Sequence, residues 1–457
     1  MIVMKFGGTS VEDARAIERS AGIVKGRLEH KPAVVVSAMA KVTDQLLAMA
    51  RAAGAGDRKT ALKLCRALQE RHYNTAGELL GTALFTQFHG DLGADFETLE
   101  ELLRGIAAVG ELTPRTTDYV SAFGEMLSSK IVAAAFSALG MDSALVDSRE
   151  WLVTDTAHMR AAPLFEETNQ RLQSKVAPLI AAGKVPVMGG FIGATKAGIT
   201  TTIGRGGSDY SAAIVGAGLS AERIEIWTDV DGMMTTDPRL VPEARRIKVI
   251  SFDEAAELAY FGAKVLHPAT VLPAVQKNIP VYVLNSRNPD CEGTRITARA
   301  PRCRNFFKAI AVKKRITIVD VAAPRMQLAH GFLSSIFAAF DRHRVAVDVV
   351  STSEVSVSLT VDSNESIPPL AADLAKLADV KYEGRKAIVC LVGENLRDTP
   401  GIAARVFGEL ADVKIRMISQ GASEINLTFV VEEDTVSEIV RRLHKTFFSD
   451  LDPEVFA

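Results

Sequence analysis

The sequence predicts an α/β protein with a mostly parallel sheet covered by helices, followed by a duplicated α+β unit. Over residues 1–300, short apolar runs such as 33–36 and 224–227 alternate with amphipathic stretches such as 118–139. Such apolar runs are typical of strands buried on both faces, and their alternation with helices favours parallel pairing. Towards its end the chain changes to an internal repeat, which indicates a second kind of domain.

The bulk composition is that of a folded protein with more than one domain. The chain has 457 residues, more than one hydrophobic core usually organises. Hydrophobic residues make up 47% and charged residues 24%. The 53 Lys and Arg residues nearly balance the 55 Asp and Glu residues, so the formal net charge is −2. This balance gives no argument for a nucleic-acid or membrane-surface partner.

The cysteines and the N-terminus bear on location. Cys65, Cys291, Cys303 and Cys390 are scattered without CxxC spacing, which indicates reduced thiols rather than a disulfide framework or a zinc site. The N-terminus runs directly into a strand-like segment without signal-peptide features, and no apolar run approaches the length of a membrane span. We therefore expect a cytoplasmic protein.

The chain divides into three predicted domains. Residues 1–300 form the α/β body, in which residues 57–115, rich in Leu, Ala and charge, form a helical insertion. The segment 289–306 has the Pro, Gly and Arg content of a linker. Two units of about seventy residues follow, at 308–384 and 385–457.

The repeat is visible in the residues themselves. Gly331-Phe332-Leu333 aligns with Gly401-Ile402-Ala403, and residues 347–351 align with 415–419. Each unit is predicted to run strand, helix, strand, strand, helix, strand, which describes a small α+β domain rather than a solenoid repeat. Two such units after a body with catalytic features indicate regulation.

The first candidate for chemistry is the run 5–10, Lys-Phe-Gly-Gly-Thr-Ser, which follows an apolar strand and precedes a helix predicted to begin near Val11. Adjacent glycines let the backbone approach a ligand closely, and a helix N-terminus presents N–H groups to an anion. Lys5 adds a full positive charge, as phosphoryl transfer requires. A Gly-Gly turn beside a solvated lysine is the simpler alternative.

The run 204–209, Gly-Arg-Gly-Gly-Ser-Asp, is the most informative stretch. Its glycines can form a backbone nest for an oxyanion, and Arg205 offers a fork for a carboxylate or phosphate. Asp209 can organise the lysine or a magnesium-bound nucleotide. The alternative is that Ser208 and Asp209 only cap a helix.

Several further polar residues are weaker candidates. The loops 227–232 and 235–239 follow a buried strand, at the end of a parallel sheet where ligands bind, although plain turns explain them equally well. Glu125 lies in an otherwise apolar helix and either reaches the surface or pairs with a cation. Thr43 offers a hydroxyl or a cap, and Lys264 a phosphate contact or a solvated charge.

Taken together, the runs at 5–10, 204–209, 227–229, 236–239 and 261–268 closely resemble the aspartate kinase family, whose opening signature is a Lys-Phe-Gly-Gly-Thr-Ser run. The resemblance covers essentially the whole chain. It implies the amino-acid kinase fold, a three-layer α/β/α sandwich, followed by a tandem pair of ferredoxin-like ACT domains.

The resemblance also implies roles in transferring the γ-phosphoryl group of ATP to the β-carboxylate of aspartate. Lys5 would stabilise that group in the transition state, and Asp209 would orient Lys5. Arg205 would hold the α-carboxylate of aspartate and Glu125 its α-ammonium. Thr43 and Ser208 would complete the substrate pocket. The nucleotide site implied by the family comprises Phe6, Gly7, Gly8, Thr228, Asp229, Met234, Arg239, Lys264 and Val265.

The implied site has consequences for adenine binding, for the chemistry of transfer and for the metal ion. Met234 departs from the family, where tyrosine is frequent, and this predicts a different contact with the adenine. The attacking group is already a carboxylate, so proximity, in-line alignment and charge neutralisation suffice without a general base. No dedicated metal cage is predicted, and Mg²⁺ is expected to arrive with ATP.

The two repeats differ in charge at one aligned position. The first carries Asp348, and Glu354 shortly after it, whereas the second has Arg416 in place of Asp348. A cationic effector would therefore prefer the first repeat, unless both carboxylates are simply solvated. In lysine-inhibited members of the family the matching positions bind lysine: Met326, Gly331, Phe332, Leu333, Asp348, Ser353 and Glu354. We predict feedback inhibition by lysine in a homodimer, possibly a dimer of dimers, paired through its ACT domains.

Two other functions compete with this one. The first is a kinase for another acceptor, such as acetylglutamate, glutamate, carbamate or a nucleotide; the tandem repeats and the opening run argue against it. The second is an amino-acid sensor with an inactive kinase body. The joint presence of Lys5, Glu125, Arg205 and Asp209 argues against that.

Overall fold

The computed structural model describes residues 1–262, 268–322, 331–364 and 366–457. The chain forms two compact units, the first comprising Met1–Gly232 and Val265–Ala298, the second Met233–Lys264 and Arg299–Ala457.

The two compact units differ from the predicted domains in one segment. The segment 233–264, predicted within the body at 1–300, belongs to the second unit. The reason is hydrophobic packing, since Val241 is buried in the same core as Phe307 and Leu443. A strand–helix alternation read along the chain does not reveal which core a segment joins.

The first unit is built on a mostly parallel sheet, which confirms the predicted fold class. The strands that this unit contributes run in the order β3-β5-β2-β1-β8-β10-β11; among their described pairings β10 and β11 are antiparallel and the others are parallel. A small separate sheet has the order β4-β6-β7. The strands of this unit, numbered along the whole chain, are β1 (Ile2–Phe6), β2 (Pro32–Val36), β3 (Ser143–Val146), β4 (Val153–Thr154), β5 (Val185–Gly189), β6 (Ile192–Thr195), β7 (Thr200–Thr202), β8 (Ile224–Thr228), β10 (Val281–Asn285) and β11 (Thr294–Thr297).

Helices pack against this sheet. Buried side chains such as Leu68, Phe96 and Phe136 share one core with Phe6 and Val34 of the central strands. None of the helices in the described ranges is long and apolar enough to cross a membrane. The helices of the first unit are α1 (Ala14–Lys25), α2 (Val42–Gly54), α3 (Arg58–Val109), α4 (Pro114–Ala138), α5 (Phe165–Lys175), α6 (Ala177–Ala181), α7 (Gly207–Gly218) and α9 (Leu272–Gln276).

Helix α3 accounts for most of the segment between 57 and 115. Asp57 caps its start by accepting a hydrogen bond from the backbone N–H of Thr60, and Gly110, in the left-handed conformation with φ 72°, ends it. Gly81, with φ 65° and ψ 171°, interrupts the helical backbone. A residue with a side chain seldom adopts that φ, so glycine allows this break.

The second unit is built on one antiparallel sheet in the order β13-β14-β12-β15-β17-β16. Its strands are β9 (Val249–Ser251), β12 (Ala309–Ala322), β13 (Val347–Thr352), β14 (Ser356–Asp362), β15 (Asp379–Val392), β16 (Met417–Gln420) and β17 (Asn426–Glu432). Its helices are α8 (Phe252–Tyr260), α10 (Phe332–Arg342), α11 (Ile367–Leu374), α12 (Ile402–Gly408) and α13 (Val436–Phe447).

The two repeats share the centre of this sheet, which changes the predicted order of elements. Strands β12 and β15 pair from Ala309↔Val392 to Ala322↔Asp379. Strand β15 therefore serves both as the last strand of the first repeat and as the first strand of the second. Beyond α13 the described chain forms an isolated bridge between Ile247 and Phe456 instead of the predicted sixth strand. The repeats thus form one continuous sheet, because two strands of 14 residues each span both of them.

Candidate active site

A cavity of about 360 Å³ in the first unit gathers residues that the sequence analysis selected from distant positions. It lies where β1 and β2 end, and its walls come from those strand ends, from α4 and from the first turn of α7. The structure thereby brings together all six residues predicted for catalysis and substrate binding: Lys5, Thr43, Glu125, Arg205, Ser208 and Asp209.

Lys5 is the cation at the base of the cavity. It is the fourth residue of β1, is only 8% exposed, and its Nζ lies 2.7 Å from Oδ1 of Asp209 on α7. Parallel pairing on both sides of β1, with Val35 and Ile226 opposite Lys5, holds the backbone of this residue. The ion pair therefore holds a nearly buried ammonium group at one place beside the cavity.

The glycine pair after β1 permits a close approach between two loops. A Cβ on Gly8 would lie 2.9 Å from the carbonyl oxygen of Ala38, and Gly8 accepts a hydrogen bond from the N–H of Ala40 at 3.1 Å. Only glycine fits this contact. The glycine pair therefore brings the strand end directly against residues 37–41, which we call the 37–41 loop.

The helix predicted near Val11 begins later. Residues Gly8–Ser10 form a short 3₁₀ turn, and α1 starts at Ala14. The Asp13 carboxylate accepts a hydrogen bond from the N–H of Ala16 at 2.8 Å and so caps the N-terminus of α1. The helix therefore starts three residues after the predicted position, and one of the N–H groups at its N-terminus is already paired with Asp13.

The run 204–209 forms a tight turn into α7. Gly204 and Gly206 adopt left-handed conformations, with φ 81° and 71°, and Gly206 is the cap residue that precedes α7. Ser208 and Asp209 lie within the first helical turn, so neither is the cap that the simpler alternative required. Arg205 is exposed and lines the cavity, and no carboxylate in the described part of the chain pairs with it.

Glu125 is a buried carboxylate facing the same cavity. It is 4% exposed, and its Oε1 accepts a hydrogen bond from the N–H of Ala38 at 3.1 Å. Its Oε2 receives no hydrogen bond from any of the described residues. Burial raises the pKa of Glu125 to about 8, although the Ala38 hydrogen bond and the charge of Lys5 oppose that rise. Such a group is stabilised by a cation that can reach Oε2.

Sequence reasoning missed a second buried carboxylate on α4. Asp118 is fully buried and accepts hydrogen bonds from Nδ1 of His158 at 2.7 Å, the N–H of Met159 at 2.9 Å and Oγ1 of Thr202 at 2.6 Å. A Cβ on Gly204 would lie 3.4 Å from the carbonyl oxygen of Met159. Asp118 thus supports the backbone beneath the 204–209 run. An acidic residue within an amphipathic helix, the signal that selected Glu125, would have found it.

Two residues predicted for the nucleotide lie at the end of β8. Oγ1 of Thr228 donates to Oδ1 of the exposed Asp229 at 3.2 Å. Ser286, which was not predicted, donates through its N–H to the carbonyl oxygen of Thr228 at 2.8 Å, and its Oγ lies 2.8 Å from Oγ of Ser10. These contacts join the ends of β1, β8 and β10.

Four further residues were predicted for the nucleotide: Met234, Arg239, Lys264 and Val265. Met234 and Arg239 lie in the second unit, where Met234 forms an isolated bridge with Arg246. The Arg239 guanidinium pairs with Asp237 on the surface, which raises the pKa of Arg239 and lowers that of Asp237. The predicted Lys264 and Val265 lie outside the described residues.

The residues predicted for an effector lie in the second unit. Asp348, on β13, has a nearly buried side chain whose oxygens accept hydrogen bonds from Nζ of Lys313 at 2.7 and 2.8 Å and from the Tyr260 hydroxyl at 3.1 Å. Ser353 is exposed in a turn closed by Ser356. Gly331 precedes α10, which begins with Phe332 and Leu333, and Glu354 is exposed. Met326 lies outside the described residues.

Comparison with protein families shows to which class this protein belongs. Residues 1–285 match the amino acid kinase family and residues 389–447 match an ACT domain, so the chain is an amino acid kinase with a regulatory fold at its end. It is 36% identical to lysine-sensitive aspartokinase 3 of Escherichia coli over 98% of this chain and 99% of that one. It is 37% identical to chloroplastic aspartokinase 1 of Arabidopsis thaliana, over 98% of this chain and 80% of that protein.

A solved structure agrees with these relatives. E. coli aspartokinase III in complex with aspartate and ADP superposes with a TM-score of 0.85 and 36% identity, covering 98% of this chain and 100% of that one. The chain therefore belongs to the aspartokinase family. This confirms the resemblance seen in the sequence motifs, and membership makes the chain a kinase that uses ATP.

Proposed function

We propose that this protein transfers the γ-phosphoryl group of ATP to the β-carboxylate of aspartate, giving β-aspartyl phosphate and ADP. The observation that carries the proposal is that one cavity is lined by two groups of opposite charge type: the buried carboxyl group of Glu125, whose Oε2 receives no hydrogen bond from the described residues, and the exposed guanidinium group of Arg205. An α-amino acid carries an ammonium and a carboxylate on one carbon and therefore matches such a pair. The E. coli structure with aspartate and ADP supports the same assignment.

In this proposal the substrate is held at its α-carbon and reacts at its side chain. Arg205 binds the α-carboxylate through two parallel hydrogen bonds, and Glu125 binds the α-ammonium. Thr43 and Ser208 line the same cavity and contribute hydroxyl groups. The β-carboxylate is then free to attack phosphorus without a general base, since it is already ionised.

Lys5 supplies the positive charge that the transferring group needs. Its Nζ is held by Asp209 at 2.7 Å, so the charge is in place before the substrates bind and little reorganisation is needed during the reaction. Gly7 and Gly8 allow the phosphates to approach the backbone next to Lys5. Asp209 acts by orienting Lys5.

ATP is proposed to bind through the residues implied by the family resemblance, namely Phe6, Gly7, Gly8, Thr228, Asp229, Met234, Arg239, Lys264 and Val265. Mg²⁺, bound with the nucleotide, would neutralise phosphate charge. Within the described ranges no group of three His, Cys, Asp or Glu residues is placed to hold a metal ion. The exposed carboxylate of Asp229, at the end of β8, is available to a water molecule of a hydrated Mg²⁺.

Regulation by lysine is part of the proposal. The nearly buried Asp348 in the first repeat is an acceptor for an ammonium group, and the E. coli relative is lysine-sensitive. Strands β13 and β16 are the edges of the second unit's sheet, and edge strands are suited to pairing between subunits. A homodimer, possibly a dimer of dimers, and a cytoplasmic location complete the proposal.

The experiment that tests the reaction is ADP release with ATP, Mg²⁺ and a panel of acidic amino acids, repeated with Lys5→Ala. Aspartate-dependent release that is lost in the variant is the expected result. Release with a different acid only would overturn the substrate and retain the kinase. No release with any acid would favour the amino-acid sensor, and lysine binding would then be measured directly.

A further inference from the structure

Arg71, on the long helix α3, connects two loops at the edge of the active site. Its Nη1 donates to the carbonyl oxygen of Ala40 at 2.9 Å, and its Nη2 donates to the carbonyl oxygen of Glu12 at 3.0 Å. Ala40 belongs to the 37–41 loop that lines the cavity, and Glu12 lies two residues after the 3₁₀ turn Gly8–Ser10. One half-buried guanidinium group therefore bridges the backbone of both loops.

The 37–41 loop makes hydrogen bonds to Glu125 and to Gly8, two residues of the proposed active site. The N–H of Ala38 donates to Oε1 of Glu125, and the N–H of Ala40 donates to the carbonyl oxygen of Gly8. The loop ends at Lys41, whose φ of 67° lies in the left-handed region that residues with side chains seldom adopt. Contacts from outside the loop must maintain such a conformation, and Arg71 provides one of them.

The cavity itself does not include Arg71, and the packing of α3 does not depend on its two hydrogen bonds. Helix α3 is anchored by apolar residues such as Cys65 and Leu68, which are buried in the main core. Arg66, from the same helix, instead lies 3.7 Å from Glu100 and is largely exposed. The two carbonyl contacts of Arg71 thus serve the loops rather than the helix.

We propose that Arg71 is a positioning residue for phosphoryl transfer, which sets the separation between the loop that receives the amino acid and the loop that faces the phosphates. This inference rests on the proposed function. Arginine suits the task because its planar fork carries separate N–H donors for two acceptors, whereas lysine has one nitrogen. The helical insertion thereby takes part in aligning the two substrates.

The test compares Arg71→Lys and Arg71→Ala with the control Arg66→Ala from the same helix. We expect kcat to fall roughly 10- to 100-fold in both Arg71 variants, because a misplacement of about 1 Å can cost that much. Arg66→Ala is expected to behave like the native enzyme. Guanidinium ion added in millimolar amounts is expected to restore part of the kcat of Arg71→Ala at an unchanged Tm, whereas a purely structural role would appear as a lower Tm with a native kcat.

The possible results distinguish a failure of this inference from a failure of the proposed function. Arg71 variants with native kcat, or a lower Tm with unchanged kcat below it, would overturn the inference while leaving the proposed function intact. A native enzyme without aspartate-dependent ADP release would remove the proposed function and this inference with it. If Arg71→Ala does not fold, Arg71→Lys decides the question: a reduced kcat at native Tm supports positioning, and a native kcat refutes it.

Discussion

Two buried carboxylates of this protein are proposed to receive the ammonium group of an amino acid, and their surroundings differ. Glu125, in the first unit, is 4% exposed and has an Oε2 that no described residue contacts by a hydrogen bond. Asp348, in the second unit, has a side chain that is 5% exposed and holds both Lys313 and the Tyr260 hydroxyl. One carboxylate is available to a ligand, and the other already has an ammonium partner from its own chain.

The difference is also electrostatic. Burial raises the pKa of Glu125 to about 8, and the Ala38 hydrogen bond and the charge of Lys5 offset this rise only in part. Burial also raises the pKa of Asp348, but there Lys313 opposes the rise, and Asp348 in turn raises the pKa of Lys313 against the effect of burial. In the proposed mechanism the ammonium group of the substrate meets Glu125, whose Oε2 has no hydrogen bond from any described residue. An effector in the second unit must compete with Lys313.

The largest expected effect comes from removing the unpaired acceptor. Glu125→Gln keeps the shape of the side chain but not its charge, and we expect the KM for aspartate to rise about 100-fold, the cost of losing a buried charged partner. Initial rates at saturating ATP measure this. Glu150→Gln, which alters an exposed carboxylate paired with Lys175, is the control and should leave the KM unchanged. A KM within threefold of native in Glu125→Gln would contradict the assigned role.

The second prediction concerns pH. Below about pH 8 the free enzyme holds Glu125 protonated, and binding of the α-ammonium requires the ionised form. The KM for aspartate should therefore fall about tenfold per pH unit as the pH rises from about 6.5, and level off above 8. Kinetics at a series of pH values test this, and Glu125→Gln should abolish the slope. A pH-independent KM in the native enzyme would show that Glu125 is ionised before aspartate binds.

The third prediction tests the competition at Asp348. Lys313→Met removes the internal ammonium and leaves a nearly buried carboxylate without it, so lysine should inhibit at a concentration about tenfold lower than in the native enzyme. Inhibition curves at fixed aspartate measure the shift, and Asp348→Asn, which removes the acceptor, should abolish inhibition. Weaker inhibition in a well-folded Lys313→Met would mean that Lys313 assists the effector instead of competing with it.

The smallest effect is expected at the matching position of the second repeat. Arg416 pairs with Glu383 at 2.8 Å on a partly exposed face, where ion pairs contribute little. Arg416→Ala should leave the lysine concentration for half-inhibition and the Tm nearly unchanged. A large loss of lysine sensitivity would show that both repeats take part, and the contrast between them would then no longer hold.

Much of this molecule could be predicted because its signals are local. Short apolar runs predict β1, β2, β5 and β8, since strands buried on both faces need them. Glycines mark the turns at 7–8 and 204–207, since backbone in those places must approach closely or adopt positive φ. The charged residues in or next to those turns, Lys5, Arg205 and Asp209, could therefore be assigned to one site from their motifs.

Other features of the structure depend on contacts with distant parts of the chain and were not predicted. Segment 233–264 joins the second unit because Val241 packs with Phe307, and one strand, β15, serves both repeats because it pairs along its whole length with β12. Asp118, Arg71 and Ser286 were missed for the same reason. Asp118 lies 40 residues before its partner His158, and Ser286 lies 58 residues after its partner Thr228. The two partners of Arg71 lie 31 and 59 residues before it.

Sequence motifs alone were thus enough to specify the family, the alternation of strands and helices, and the chemical groups of the site, because these depend on residue type and on spacing along the chain. Tertiary structure alone decided which carboxylates carry a partner. Glu125 and Asp348 are both buried acidic residues, and only folding places Lys313 beside Asp348 and leaves Oε2 of Glu125, which lines a cavity, without a hydrogen bond from any described residue. Burial and pairing depend on contacts between distant segments, and these determine whether a carboxylate is available to a ligand.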